Sequence, residues 1–221
     1  MHENTRQDIC SRGDKIDYAF LSLISDKIKV GIIGGGRAGL IKAKYFLSKN
    51  CHVSLITKNS YNNNKKIKVL KEYNKFNVEC REYTRDFILD KHLIIIAVDS
   101  LETRENIKRD CEKLYKIFID CTNFKEGMAV VPAVREKDNL IVGVNTRGGN
   151  PKGSVFIAEK ISKNLEEYDG FIAYTTVLRN KFKLKPDLKD EALKFIFSDD
   201  FYFFYKKGKS ERVIKLFYNE V

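Results

Sequence analysis

A short apolar run, Lys29-Val30-Gly31-Ile32-Ile33, passes directly into Gly34-Gly35-Gly36-Arg37-Ala38-Gly39-Leu40 and then into a segment of helix-forming residues. The glycines at 34, 36 and 39 have the spacing G-x-G-x-x-G, which few folds use. Gly34 permits a tight turn out of a strand, Gly36 lets backbone approach a pyrophosphate, and Gly39 lets a helix lie close to a sheet. The N-terminus of that helix offers unpaired N–H donors and partial positive charge to phosphates. Set between a strand and a helix, the motif predicts a dinucleotide site rather than a bare glycine turn.

The surrounding pattern agrees. Strand, helix and strand alternate as in βαβ units: strands over 28–33, 52–57, 76–82, 93–98 and 117–121, helices over 37–48, 67–73 and 101–114, and a polar loop over 59–66. The first helix turns Leu40, Ala43, Tyr45, Phe46 and Leu47 toward the sheet. After Cys121 the alternation stops. Segments 128–134 and 140–145 are two strands with only five residues between them, which predicts a hairpin or adjacent antiparallel pair rather than a βαβ crossover. Asn150-Pro151 reads as an N-cap and first helical residue, starting a helix that buries Val155, Ile157, Ala158 and Ile161. Amphipathic helical segments follow from Phe171. The expected class is α/β: a Rossmann-type parallel sheet (16–127) after a loose extension (1–15), a small α+β region (128–168) and a C-terminal helical domain (169–221).

Composition narrows the function. Hydrophobic residues make up 43%, with 15 Phe and 11 Tyr, enough for a packed core. The longest apolar runs, such as 93–98, are too short to span a bilayer. No charged, apolar and cleavage-site pattern opens the chain, so a cytoplasmic location is expected, with no membrane partner. The five cysteines are scattered without a C-x-x-C, and the three histidines lie apart, so neither a disulfide framework nor a metal site is expected. The net charge is +11, with 27 basic against 19 acidic residues before Pro151 and 14 against 11 from it onward. A lysine-rich solvated surface accounts for this, and so does an acidic small-molecule ligand. No helix-turn-helix, RNA-binding or zinc-finger signature points to nucleic acid.

Four stretches together resemble the precorrin-2 dehydrogenase/sirohydrochlorin ferrochelatase family. They are Val30-Gly31-Ile32-Ile33-Gly34-Gly35-Gly36 with Lys42 downstream; Ile96-Ala97-Val98-Asp99-Ser100 with Glu102 and Asn106; Ala129-Val130-Val131-Pro132-Ala133-Val134; and Val142-Gly143-Val144-Asn145-Thr146-Arg147-Gly148-Gly149-Asn150-Pro151. The order strand, proline, strand, Gly-Gly, proline is far more specific than the glycine fingerprint. The resemblance runs from about Tyr18 to the end of the chain. It implies a homodimer whose central region dimerises, and NAD as oxidant of precorrin-2 to sirohydrochlorin, with ferrous iron insertion in some members. The substrate would be a tetrapyrrole rimmed with acetate and propionate arms, which a basic cleft attracts.

The resemblance also implies site residues. Gly34, Gly36, Arg37, Ala38 and Gly39 would line the pyrophosphate, Lys58 and Asn59 the adenosine end, and Ala97, Val98, Asp99 and Ser100 the carboxyl end of the fourth strand, where ligands of open α/β sheets collect. Asn123, Asn145, Thr146 and Arg147 would meet the substrate, the arginine by pairing with a carboxylate. No carboxylate follows the second strand, so the rule that selects NAD over NADP does not apply, and Lys58 could accept a 2′-phosphate. At the family's catalytic aspartate, ten residues before Pro132, this chain has Thr122, whose hydroxyl cannot act as a base near neutral pH. Asp120 would point to the same side of an extended strand as residue 122. Either it supplies a displaced catalytic carboxylate, or it is an ordinary strand-end residue and the protein binds cofactor or tetrapyrrole without turning it over. Chelation is expected to be weaker than dehydrogenation, or absent.

Overall fold

A computed structural model of the chain describes residues 15–58 and 64–218. All of the expected N-terminal extension except Lys15 lies outside them. The chain forms two compact units, Ala19–Val131 and Pro132–Val221, the latter joined by the segment that ends at Tyr18.

In the first unit β1 (Lys29–Ile33), α1 (Arg37–Ser48), β2 (His52–Thr57), α2 (Lys65–Leu70), β3 (Phe76–Cys80), β4 (Leu93–Ile96), α3 (Leu101–Lys113) and β5 (Ile117–Asp120) follow one another. The five strands are all parallel in the order β3-β2-β1-β4-β5. β4 shows why its sequence is an unbroken apolar run. Leu93 and Ile95 pack on one face with Leu40, Ala43, Phe46 and Leu47 of α1, while Ile94 and Ile96 pack on the other with Phe87, Ile107 and Cys111. A strand covered on both faces needs no polar alternation, and each such side chain contributes roughly 1.5–3 kcal/mol by burial. The strand order reverses between β1 and β4, so a crevice opens beyond their carboxyl ends.

Several boundaries differ from the sequence expectations for local reasons. The Asn64 side chain accepts from the Lys66 and Ile67 N–H groups at 3.0 and 3.4 Å, so α2 starts at Lys65 and ends by Leu70. The strand expected over 128–134 does not begin until Ala133, because Pro132 has no N–H to give a ladder. The segment before it instead lies along the first sheet, where the Met128 and Ala129 N–H groups both donate to the Phe118 carbonyl.

The second unit holds the hairpin β6 (Ala133–Glu136) and β7 (Ile141–Val144), antiparallel as expected, and α4 (Pro151–Phe182), α5 (Pro186–Ile196), α6 (Asp199–Lys206) and α7 (Ser210–Phe217). Asn150 caps α4 by accepting from the Gly153 N–H at 2.9 Å, with Pro151 opening the helix. The N-terminal half of α4 packs on the hairpin and its C-terminal half on the other helices. Phe171, Leu178 and Phe182 of α4 join Ala192, Ile196, Phe201, Ile214 and Tyr218 in one core. Of the four residues expected to be buried early in α4, only Ala158 is fully so; Val155 and Ile157 remain 45% and 43% exposed. A two-stranded hairpin covers only a narrow stripe, Ser154 and Ala158. Among the described residues no helix is long and apolar enough to cross a membrane.

Candidate dinucleotide site

Each fingerprint glycine has a separate geometric reason. Gly34 has φ +113°, and a Cβ there would lie 2.1 Å from the Ala97 carbonyl oxygen; a Cβ on Gly39 would lie 2.0 Å from the Gly34 oxygen. Both contacts are with backbone, so neither position admits a side chain. At Gly36 a Cβ would meet nothing within 4 Å. No packing demand keeps that position bare, and the space above it is open to a ligand. Gly36 is also the N-cap of α1 and supplies no capping side chain, so the first N–H groups of the helix face that space unsatisfied by a cap. This is what a pyrophosphate needs, and the residues fit the group.

A cleft of about 410 Å³ lies along these strand ends. It brings together Gly34, Gly35 and Gly36, Thr57 at the end of β2 with Lys58 after it, and Ala97, Val98, Asp99 and Ser100 after β4. Ser100 caps α3, accepting from the Thr103 N–H at 3.3 Å. Arg37 and Ala38 stand exposed on the first turn of α1 beside the cleft, and Gly39 is buried beneath it. Asn59 lies outside the described residues. Arg81, Tyr83 and Thr103 also line the cleft, and sequence reasoning missed them. Arg81 follows β3, whose place beside β2 could have been foreseen from the tendency of successive parallel strands to neighbour each other. Its N–H donates to the Thr57 carbonyl at 3.0 Å.

The Asp120 region differs from its expectation. β5 ends at Asp120, so residues 120 and 122 do not share the side of an extended strand. The Asp120 side chain is fully buried. Its Oδ1 accepts from the Thr122 and Asn123 N–H groups at 2.8 and 2.9 Å. Its Oδ2 faces Lys108 Nζ at 3.1 Å and Arg104 Nε at 3.6 Å, contacts of charge rather than of aligned hydrogen bonds. Burial raises the carboxyl pKa, but the Asn123 and Thr122 N–H groups and Lys108 outweigh it and hold the group below the usual range. Burial likewise works against a charged Lys108, yet hydrogen bonds to Glu126 and Glu105 and the adjacent Asp120 charge raise its pKa overall. Thr122 is exposed, and Asn123 Nδ2 donates to Glu126 Oε1 at 2.7 Å. Nearby, burial lowers the Lys42 ammonium pKa and raises that of the Cys121 thiol, each only partly offset by the other.

Asn145, Thr146 and Arg147 belong to the second unit. There Thr146 Oγ1 accepts from the Asn150 N–H at 2.7 Å, which closes the Gly-rich turn ahead of α4. Arg147 is largely exposed and sits 3.6 Å from Asp17. Among the described residues no group of three or more His, Cys, Asp or Glu could hold a metal ion.

Fold and cleft together define a dinucleotide-binding α/β protein. The chain belongs to the NAD_binding_7 family, described as "Putative NAD(P)-binding", whose model matches residues 21–133. A curated relative, "Precorrin-2 dehydrogenase" of Bacillus subtilis (strain 168), is 24% identical over 147 residues, covering 66% of this chain and 88% of that protein. A second, "Putative precorrin-2 dehydrogenase" of Methanocaldococcus jannaschii, is 26% identical over 182 residues, covering 78% and 86%. Among solved structures, "SirC, precorrin-2 dehydrogenase" matches with a TM-score of 0.69 at 18% identity, over 90% of this chain and 98% of that one. That likeness shows the shared fold. These relatives carry the family name that the sequence motifs resemble, and the cleft is that of a nicotinamide-dinucleotide protein.

Proposed function

We propose that the protein is a dehydrogenase that oxidises precorrin-2 to sirohydrochlorin with a nicotinamide dinucleotide as oxidant. The observation that supports this most is Gly36, bare without any packing reason at an uncapped helix N-terminus, in a chain whose curated relatives are named precorrin-2 dehydrogenases. When bound, the nicotinamide supplies the hydride acceptor. The chain itself supplies orientation: the α1 N-terminus holds the pyrophosphate, and the 97–100 segment shapes the floor of the cleft. Thr122 and Asn123 are proposed to meet the substrate.

Asp120 is assigned a positioning role. Both its oxygens are engaged and none is exposed, so it holds the 120–123 turn, and the proton released on oxidation passes to solvent. Iron insertion is assigned no residue, because the family carboxylate credited with it is Thr122 here. A homodimer in the cytoplasm, with the 128–168 region at its interface, completes the reading. Thr122 at the position of the family's carboxylate supports a second reading, a protein that binds dinucleotide or tetrapyrrole without turnover.

The test is purified protein with precorrin-2 and either NAD⁺ or NADP⁺. Dehydrogenation gives the sirohydrochlorin absorption spectrum together with reduced cofactor. Cofactor binding with no spectral change would reject the first reading in favour of the second.

A further inference from the structure

We propose that the cleft selects the 2′-phosphorylated dinucleotide, NADP, with Lys58 at the end of β2 and Arg81 at the end of β3 holding the 2′-phosphate. The inference rests on the cofactor site described above. Rossmann sites that prefer NAD place an Asp or Glu after the second strand, where it bonds the ribose 2′-hydroxyl and repels a phosphate. This chain has Thr57-Lys58 there. Among the described cleft-lining residues the only carboxylate is Asp99, which follows β4. The two cations among the described cleft-lining residues, Lys58 and Arg81, follow the neighbouring strands β2 and β3, the side on which the adenosine ribose is expected.

They are held close by backbone. The Arg81 N–H donates to the Thr57 carbonyl at 3.0 Å, and Cys80 Sγ lies 3.6 Å from the Lys58 carbonyl oxygen. The Arg81 guanidinium is braced on one side only. Nε bonds Glu79 at 2.9 Å, Nη1 bonds Thr84 at 2.8 Å and lies 3.4 Å from Asp86, and the group stacks over the Phe87 ring at 5.4 Å. Nη2 makes no hydrogen bond among the described residues, so two N–H donors remain on a planar group whose orientation is already fixed. Such a fork suits phosphate oxygens. Lys58 pairs with Glu82 at 3.2 Å, but their side chains are 61% and 77% exposed. A pair that exposed is weak, and a doubly charged phosphate displaces the carboxylate. Glu79, Glu82 and Asp86 do not line the cleft; they brace the cations from outside it.

The experiment is calorimetric titration of the full chain with NADP⁺, NAD⁺, adenosine 2′,5′-bisphosphate and AMP at low and moderate salt. The expected result is NADP⁺ binding about tenfold or more tighter than NAD⁺, the bisphosphate tighter than AMP, and both preferences shrinking with salt. Lys58 is exposed, so Lys58→Asp folds as the parent, verified by circular dichroism, and it removes or reverses the preference. Arg81→Gln reduces it at unchanged AMP affinity. Equal or tighter NAD⁺ binding by the parent, or an unchanged ratio in Lys58→Asp, overturns the selectivity while leaving the cofactor site intact. Failure to bind any of the four ligands overturns the site and the selectivity together.

Discussion

Replacing Asp120 by Asn separates a positioning carboxylate from a catalytic one. The amide oxygen keeps both hydrogen bonds from Thr122 and Asn123, so the turn survives. What changes is Oδ2, which becomes an NH₂ facing Lys108 at 3.1 Å and Arg104 at 3.6 Å. Removing one partner of a buried ion pair costs ~3–5 kcal/mol. Lys108 retains Glu105 at 3.0 Å and Glu126, both on the solvent side of the cluster. The lower end applies, about 3 kcal/mol. Urea unfolding monitored through the Ala19–Val131 unit should show that loss as a lower midpoint at unchanged slope. Cofactor affinity should stay within about twofold, and turnover per folded molecule should fall far less than the ~10²–10⁴ of a lost general base. Stability within ~0.5 kcal/mol of the parent, with turnover abolished, would refute the argument and make Asp120 the base.

Three further outcomes follow from the same geometry. Because the folded Asp120 carboxyl lies below its unfolded value near ~3.9, its contribution is fully present above that pH and is lost as pH falls through the folded pKa; the stability gap between parent and Asp120→Asn, read by urea titration at several pH values, should therefore narrow below about pH 4. Gly36→Ala should fold with a stability change under ~1 kcal/mol, since a helix N-cap Gly is replaced in open space, yet weaken dinucleotide binding at least ~10-fold by crowding the pyrophosphate, whereas Gly34→Ala should destabilise the unit outright; normal cofactor affinity in Gly36→Ala, measured by titration, would contradict the site. Thr122→Asp places a carboxylate at an exposed position outside the buried cluster and should raise dehydrogenase turnover by up to ~10²; no change in the measured rate would mean that proton removal does not limit it.

The sheet was legible because its strands are short apolar runs and its first turn needs glycine for steric reasons that leave a mark in sequence. β4 could be located from Leu93, Ile94, Ile95 and Ile96 alone, since burial on both faces leaves no polar residue in it. The hairpin was legible from spacing, and the start of α4 from Asn150-Pro151. The strand side shared by Asp120 and Thr122 was not legible, because it depends on where β5 stops, and that is decided by the pull of Lys108 and two N–H groups, which period-two alternation does not encode. Arg81 carries no local signal: its place in the cleft depends on strand order, which only the tendency of successive parallel strands to neighbour each other suggests. Val155 and Ile157 look like core residues by type, but how much of α4 is covered depends on the width of what packs on it.

One helix, α4, serves two packing environments in turn, the hairpin first and the α5–α7 core afterwards. Phe171, Leu178 and Phe182 are its share of the second, while Ser154 and Ala158 are its share of the first. A cut at 168/169, the boundary expected between the α+β region and the helical domain, would pass through an unbroken helix. It would leave the C-terminal helices attached to a stub of about 14 residues, near the length at which an isolated helix is marginal. The hairpin would keep a frayed remainder with Val155, Phe156 and Ile157 exposed. Among the described residues α4 thus ties the hairpin and the helical core into one compact unit, and the chain divides between its two units at 131/132.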